Sequence, residues 1–314
     1  SNSIIGQLQD HAIPRGLEPG KEGNASVGGN LAVPLKIADL FYTKNGVPIT
    51  EDKTWNYDDR FELRKATAND KYFIKEGYTT ANLNFDREVR YYASLGFDGA
   101  VWFGQGVTDE TKPIYVQCKQ GQSAANQIAN SWNETGIWPK KLVHFKSVVG
   151  QTSGFTKITY PFPVMRLGNL YLLYAEALNE SEGPVKAVYD AIDALRDRAH
   201  TTRLSTAMPN LSKDAMRIEI RNERRVELAF EGLRWADIRR WKIGEEVMVD
   251  AKGLDNTKLK AGMYPGDGKG ETKDWKYVTI TVDQRQFNPK RDYLWPIPQY
   301  EMDANENMLQ NPGY

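Results

Sequence analysis

The chain has 314 residues, with 41 basic and 41 acidic side chains, 40% hydrophobic residues and 11% aromatics. Such a chain is long and apolar enough to fold around a sizeable core, which excludes a disordered polypeptide. The balanced charge excludes a long-range pull toward nucleic acid or an anionic membrane, and no apolar run approaches the ~18–20 residues that span a bilayer.

The chain starts at Ser1 without a basic segment followed by an apolar stretch, so no signal peptide is visible. Residues 10–34 carry Pro14, Gly16, Pro19, Gly20, Gly23, Gly28, Gly29 and Pro34, a composition that predicts loops and turns. Short apolar-aromatic runs follow at Lys71–Tyr78, Arg90–Leu95, Val101–Phe103 and Ile114–Val116, and they predict short strands. Cys118 is the single cysteine and allows no intrachain disulfide.

From Val164 the period changes. Val164, Leu167, Leu170, Tyr171, Tyr174, Ala177 and Leu178 recur at helical spacing and predict one apolar stripe. Gly183 followed by Pro184 predicts a stop and a restart. Val185, Val188, Ile192, Leu195 and Ala199 form a second stripe, and so short a link predicts an antiparallel hairpin. Ser212 predicts the N-cap of a third helix, with Leu211 and Met216 as its hydrophobic staple. Gly232 and Gly244 predict the ends of the third and fourth helices, and residues 245–314 predict a loop-rich tail.

Glu219, Glu223, Glu227 and Glu231 stand four residues apart and are expected on one helix. A ladder of like charges repels itself unless cations interleave. Dimetal carboxylate sites on bundles also use a Glu-x-x-His step, which is missing here, so the ladder reads as an ion-pair lattice with the neighbouring arginines, Arg224 and Arg234 among them. The histidines His11, His144 and His200 lack metal-ligand spacing, and no nucleophile elbow is present. The run Gly266-Asp267-Gly268-Lys269-Gly270 lacks phosphate-loop spacing and predicts a solvated turn. No metal and no cofactor are expected. The aromatic-rich segment remains. Trp102, Tyr115, Trp132 and Trp138 beside Asn130 and Asn133 combine flat apolar faces with amides, the chemistry that holds a saccharide.

Several stretches together resemble one family. Leu167-x-x-Leu170-Tyr171-Leu172-Leu173-x-Ala175-Glu176-Ala177-Leu178-Asn179 is similar to a tetratricopeptide-type helix of the SusD/RagB family, and Ile192-x-x-Leu195-Arg196-x-Arg198-Ala199 follows it as that family's next helix does. Ile220-Arg221-Asn222-Glu223-Arg224-Arg225-x-Glu227-Leu228-x-x-Glu231-Gly232-x-Arg234 and Asp237-x-x-Arg240-Trp241 resemble its arginine–glutamate signature. Leu294-Trp295-Pro296-Ile297-Pro298-x-x-Glu301 and Gln310-Asn311-Pro312-Gly313-Tyr314 resemble its C-terminus, and Asp86-Arg87-Glu88-Val89-Arg90-Tyr91-Tyr92 with Phe97-Asp98-Gly99 resembles the extended region before its binding loops.

The resemblance implies a mainly α fold of tetratricopeptide-like hairpins, with an irregular, loop-rich ligand-binding region containing short strands. The expected division is 1–160 for the loop-rich region and 161–314 for the helical region and tail, as one continuous domain. It further implies binding without catalysis: capture of a glycan at the outer-membrane surface for a SusC-like TonB-dependent transporter, with no nucleic-acid partner. Family members reach the membrane through an N-terminal lipid anchor, which this chain lacks, so it looks like the C-terminal portion of such a protein. Peptide capture on the same scaffold, a glycoside hydrolase with two facing carboxylates, and a helical scaffold that docks only its transporter are the competing readings.

Overall fold

A computed structural model describes residues 2–17, 27–104, 111–119, 122–125, 133–150, 154–255 and 277–314. Among these lie α1 (Asn2–Ala12), α2 (Leu35–Leu40), α3 (Val89–Ser94), α4 (Leu167–Glu182), α5 (Lys186–Arg198), α6 (Leu204–Ala207), α7 (Lys213–Glu227), α8 (Arg234–Arg240), α9 (Gly244–Val247) and α10 (Gln299–Ala304). The strands are β1 (Leu63–Lys65), β2 (Thr79–Ala81), β3 (Gly96–Phe97), β4 (Val101–Trp102), β5 (Ile114–Tyr115), β6 (Ile137–Trp138), β7 (Val148–Gly150), β8 (Gly154–Thr156), β9 (Ala251–Leu254) and β10 (Thr279–Asp283). They pair only two by two and antiparallel: β1–β2, β3–β6, β4–β5, β7–β8 and β9–β10. The fold is mainly α, with small ladders that pin loops.

The hairpin forms where its punctuation predicts. Gly183 adopts φ +84°, a conformation that costs a residue with a Cβ, and closes α4 by donating to the Asn179 carbonyl at 3.0 Å. Pro184 precedes α5, whose first helical residue is Lys186. Ser212 caps α7, its Oγ accepting from the Ala215 amide at 3.2 Å, and Leu211 packs beside buried Met216. Ala175 of α4, Val188, Ala191 and Ile192 of α5, and Met216 and Ile220 of α7 share one core.

The α4 stripe is corrected by the structure. Its buried face carries Gly168, Asn169, Leu172, Ala175 and Asn179, while Val164, Leu167, Leu170 and Tyr174 are exposed. Small residues lie where α4 meets its neighbours, so helix approach rather than hydrophobicity selects the inward face. Arg90–Leu95 is also corrected, from strand to the helix α3, and Lys71–Tyr78 is a series of turns rather than a strand. β9, β10 and α10 arise in the tail predicted as loop, and Gly244 opens α9 rather than ending a helix. The Gly266–Gly270 run lies outside the described residues.

A second, larger core fills the first half, with Phe41, Tyr42, Phe85, Tyr91, Phe97, Trp102 and Trp138. Val226 and Ala229 from the end of α7 and Leu254 and Tyr277 from the tail complete it, so both halves share apolar packing. Arg87 secures it from within. Its guanidinium donates to the carbonyls of Ala38 (2.7 Å), Phe41 (2.6 Å) and Leu83 (2.8 Å) and lies 4.4 Å from the Tyr91 ring centroid.

The glutamate ladder is an ion-pair lattice, but its cations come from elsewhere. Glu223 accepts from Arg90 Nη1 of α3 at 2.6 Å and from Arg196 Nε of α5 at 2.9 Å. Glu227 accepts from Arg166 at 2.7 Å and Arg198 at 2.5 Å, and Glu231 from Arg166 and from Lys141 at 2.6 Å. Burial alone would raise the Glu223 carboxyl, yet Arg90 and Arg196 more than offset it and hold it below its ordinary value. Two expected members stand outside. Arg224 pairs instead with Asp237 (2.8 Å) and the Asn169 amide oxygen (2.6 Å), and no ladder carboxylate accepts from Arg234.

Glu219 also departs from expectation. It is buried, accepts only from the Asn222 amide at 3.2 Å, and leaves Oε2 without a partner. Burial pushes its carboxyl up to about 7. Because that exceeds the unfolded value of about 4.3, the folded state holds the extra proton between those pH values. Stability from this group is therefore fully present below about pH 4.3 and is lost as pH rises through about 7, by up to about 4 kcal/mol. Urea melts at pH 5 and pH 8 should show Glu219→Gln removing that decline and stabilising the protein at pH 8. A variant with the wild-type pH slope would show that Glu219 is ionised throughout.

Candidate ligand-binding groove

The site-forming elements are β4, β5, α3 and the turns after β1. β4 and β5 pair with Val101 opposite Tyr115 and Trp102 opposite Ile114. Strand alternation therefore sends Trp102 and Ile114 to one face. α3 contributes Val89, Tyr92 and Ala93, and the turn before β2 contributes Lys71, Tyr72 and Phe73. Together with Phe103, Lys112, Pro113 and Lys140 they line a groove of about 320 Å³.

Its outer rings are exposed aromatics. Tyr72 is 64% and Phe103 52% exposed, and Phe73 stacks on Tyr92 with centroids 4.1 Å apart. The row continues from Phe103 to Phe145 at 6.3 Å, from Phe145 to His144 at 4.9 Å, and from His144 to Tyr160 at 6.2 Å, all near-parallel. Aromatic surface of this extent in water makes this face the candidate binding face.

The charged groups that line the groove are ammonium donors. The Lys140 ammonium donates to the carbonyls of Tyr92 (3.1 Å) and Val101 (2.9 Å), 5.9 Å from the Trp102 ring centroid, and burial lowers it to about 8. Lys71 stands 5.2 Å from the Tyr72 ring centroid. Among the described residues that line the groove, none carries a carboxylate. Such a lining offers donors and apolar faces without the carboxyl pair of glycoside hydrolysis. Nor do the described residues contain a group of three or more His, Cys, Asp or Glu side chains placed to hold a metal.

The residues singled out in the sequence are distributed unevenly. Trp102 is 2% exposed, its ring pressed on Gly96, where an added Cβ would meet Cζ3 at 2.8 Å. It forms the groove's inner wall and presents no open face. Trp138, 1% exposed, sits on β6 opposite Gly96 and donates through Nε1 to the Gly29 carbonyl at 2.8 Å. Burial makes it a staple between loops. Asn133 is likewise consumed, its amide donating to the carbonyls of Leu31 (3.1 Å) and Ile137 (2.9 Å) while Oδ1 accepts from the Thr135 amide (3.0 Å). Tyr115 is half-buried, with the Lys75 ammonium 5.3 Å from its ring centroid, and does not line the groove. Asn130 and Trp132 lie outside the described residues. The exposed rings Tyr72, Phe73, Phe103 and Phe145 were missed, and the adjacent aromatics at 72–73 and 102–103 were their available signal.

Beneath the loops, Asp98 gathers four segments. Its Oδ1 accepts from the Tyr78 hydroxyl (2.7 Å) and the Cys118 amide (3.0 Å), and its Oδ2 from the Tyr277 hydroxyl (2.7 Å). The Lys119 ammonium pairs with Oδ2 at 2.9 Å and donates to the Thr79 carbonyl at 2.5 Å. Burial raises the hydroxyls of Tyr78 and Tyr277, so both remain protonated donors at neutral pH. The groove's walls rest on this buried knot.

The fold is a tetratricopeptide-like helical scaffold that carries a loop-built aromatic face. The chain belongs to the SusD family, whose profile matches residues 2–314. It is 34% identical over 155 residues to the SusD-like protein P2 of Formosa agariphila and 38% identical over 155 residues to that organism's SusD-like protein P25. Those matches cover 48% of this chain and 25% and 24% of the relatives. Among solved structures, BT4246 superposes with TM-score 0.78 at 23% identity over 97% of this chain, and a SusD-like protein (BF3747) from Bacteroides fragilis with 0.72 at 22% over all of it. A SusD-like carbohydrate binding protein (BF0978) from B. fragilis superposes with 0.56 at 24% identity over 88%. The chain spans 48%, 52% and 48% of those three structures.

Proposed function

We propose that this chain forms the ligand-binding part of a non-catalytic, outer-membrane surface protein that captures a glycan and passes it to a SusC-like TonB-dependent transporter. The observation that carries the reading is the set of exposed rings Tyr72, Phe73, Phe103 and Phe145, with the half-buried His144 ring stacked on Phe145. Sugar rings offer apolar C–H faces to such surfaces, and the groove's lysines supply donors for hydroxyl oxygens. Family membership and the carbohydrate-binding description of BF0978 support the ligand class. The absence of acids from the described lining supports binding without turnover.

Calorimetry against an oligosaccharide panel tests this reading. Phe103→Ala and Tyr72→Ala should each weaken the best ligand roughly 10- to 30-fold, about 1.4–2 kcal/mol, with little change in melting temperature because both rings are exposed. Chromatography of the incubated ligand should show no shortening. Undiminished affinity in both variants would place the ligand elsewhere, and steady product formation would make the protein an enzyme.

A further inference from the structure

Arg234, absent from the glutamate lattice, faces a different feature. Arg224, Arg225, Leu228, Ala229 and Phe230 at the end of α7, Leu233, Arg234 and Asp237 at the start of α8, and Ile37 and Leu40 of α2 line a second cavity of about 180 Å³. It shares no lining residue with the aromatic groove.

Its charges do not balance. The Arg225 side chain makes no hydrogen bond or ion pair, and Arg234 Nη1 is buried without a partner. The Lys36 ammonium has only a long contact, 3.4 Å to the Val247 carbonyl. Asp237, the acid in the lining, already accepts from Arg224 at 2.8 Å and Arg240 at 2.9 Å. Arg285 is close enough to act on Lys36 electrostatically but is held by Asp283 at 2.9 Å. Burial and the neighbouring Arg234 charge lower Arg225 to about 10, and burial with Arg225 and Arg234 lowers Lys36. Lys36 is exposed, but Arg225 and Arg234 are half-buried, and guanidiniums without partners in such a site are costly unless an anion joins them.

We propose that this cavity binds a tetrahedral oxyanion, sulfate or phosphate, free or as an ester on a larger molecule, between Arg225 and Arg234 with Lys36 at its edge. Two guanidinium forks and an ammonium match an oxyanion with three or four acceptor oxygens better than they match the two oxygens of a single carboxylate.

Thermal melts of the chain in sodium sulfate, sodium phosphate, glucose 6-sulfate, sodium acetate and sodium chloride at matched ionic strength test the assignment. Sulfate and phosphate should raise the melting temperature by several degrees beyond chloride, with saturation, because the folded state alone binds them. The sugar ester arm separates a free ion from an ester. Arg225→Met and Arg234→Met should each weaken the response at least about tenfold in midpoint concentration. In chloride alone, Arg225→Met should melt no lower than the wild type, since it removes a charge without a partner. Lys186→Met, which removes an exposed pair with Asp190, should respond as the wild type does. No response beyond chloride, an equal response in both arginine variants, or acetate matching sulfate would each overturn the proposal. So would tight binding of a glutamate-rich peptide without any binding of sulfate.

Discussion

Glu223→Ala should lower the unfolding free energy by about 3–5 kcal/mol, the range for breaking a buried ion pair from one side. The carboxylate is wholly buried and holds Arg90 at 2.6 Å and Arg196 at 2.9 Å. Its removal leaves two guanidiniums in the core, and Arg196 retains only carbonyl partners, Gly46 at 2.8 Å and Thr202 at 3.2 Å. Glu223→Gln keeps the volume but not the charge and should recover little of the loss. The effect reaches function through α3, because Arg90 lies on the short helix whose Val89, Tyr92 and Ala93 wall the groove. Denaturation followed by circular dichroism measures the first effect, and glycan calorimetry the second. A loss below about 1 kcal/mol would show that solvent reaches the pair in solution, as it does at surface ion pairs.

Asp98→Ala should have a comparable effect, about 3–5 kcal/mol, by a different route. Lys119 would be left charged and almost fully buried, and the hydroxyl of Tyr277 and the Cys118 amide would lose their acceptor. Four distant segments would come apart together, since residues 78, 98, 118 and 277 meet only through tertiary contact. Cys118 reports on this directly. Its thiol is buried and pushed up by burial, so the wild type should react slowly with a thiol reagent and Asp98→Ala much faster. Equal labelling rates with an unchanged melt would show that the knot is dispensable.

How much of this was legible depended on whether the deciding contacts were local. The α4–α5 hairpin, the Gly183 stop and the Ser212 cap were readable because spacing and one or two residues determine them. The stripe of α4 misled because Leu167, Leu170 and Tyr174 are apolar yet exposed, while Gly168 and Asn169 are buried. Burial there is set by which side of the helix meets α5 and α7. α3 was read as a strand because Arg90–Leu95 is too short for periodicity to separate the two.

The glutamate ladder shows the same division. Its spacing identified four carboxylates on one face and argued for cations rather than metal. Its partners could not be inferred, because the arginines interleaved on α7 itself point elsewhere: Arg217 pairs with Glu180, and Arg221 stacks 4.7 Å from the Trp241 ring centroid. The cations that reach the ladder arrive from α3, α5, the Lys140–Leu142 turn and the residue before α4. Glu219 was left without one, and it became a proton-binding group instead.

For the candidate site, composition announced aromatics and amides but could not say which face water. Trp102 and Trp138 have the largest rings and therefore the most to gain from burial, and the core took both. Their smaller neighbours Tyr72, Phe73 and Phe103 were left at the surface by turns and by strand alternation. The helical hairpin with its Gly183 stop, the Ser212 cap, the ladder and the family were legible because each is written in residues near one another along the chain. Tertiary structure alone decided which rings are exposed, which arginines are paired and where unpaired charge collects. Those outcomes depend on contacts between segments far apart in the chain, as between Asp98 and Tyr277, 179 residues away, and no local pattern encodes them.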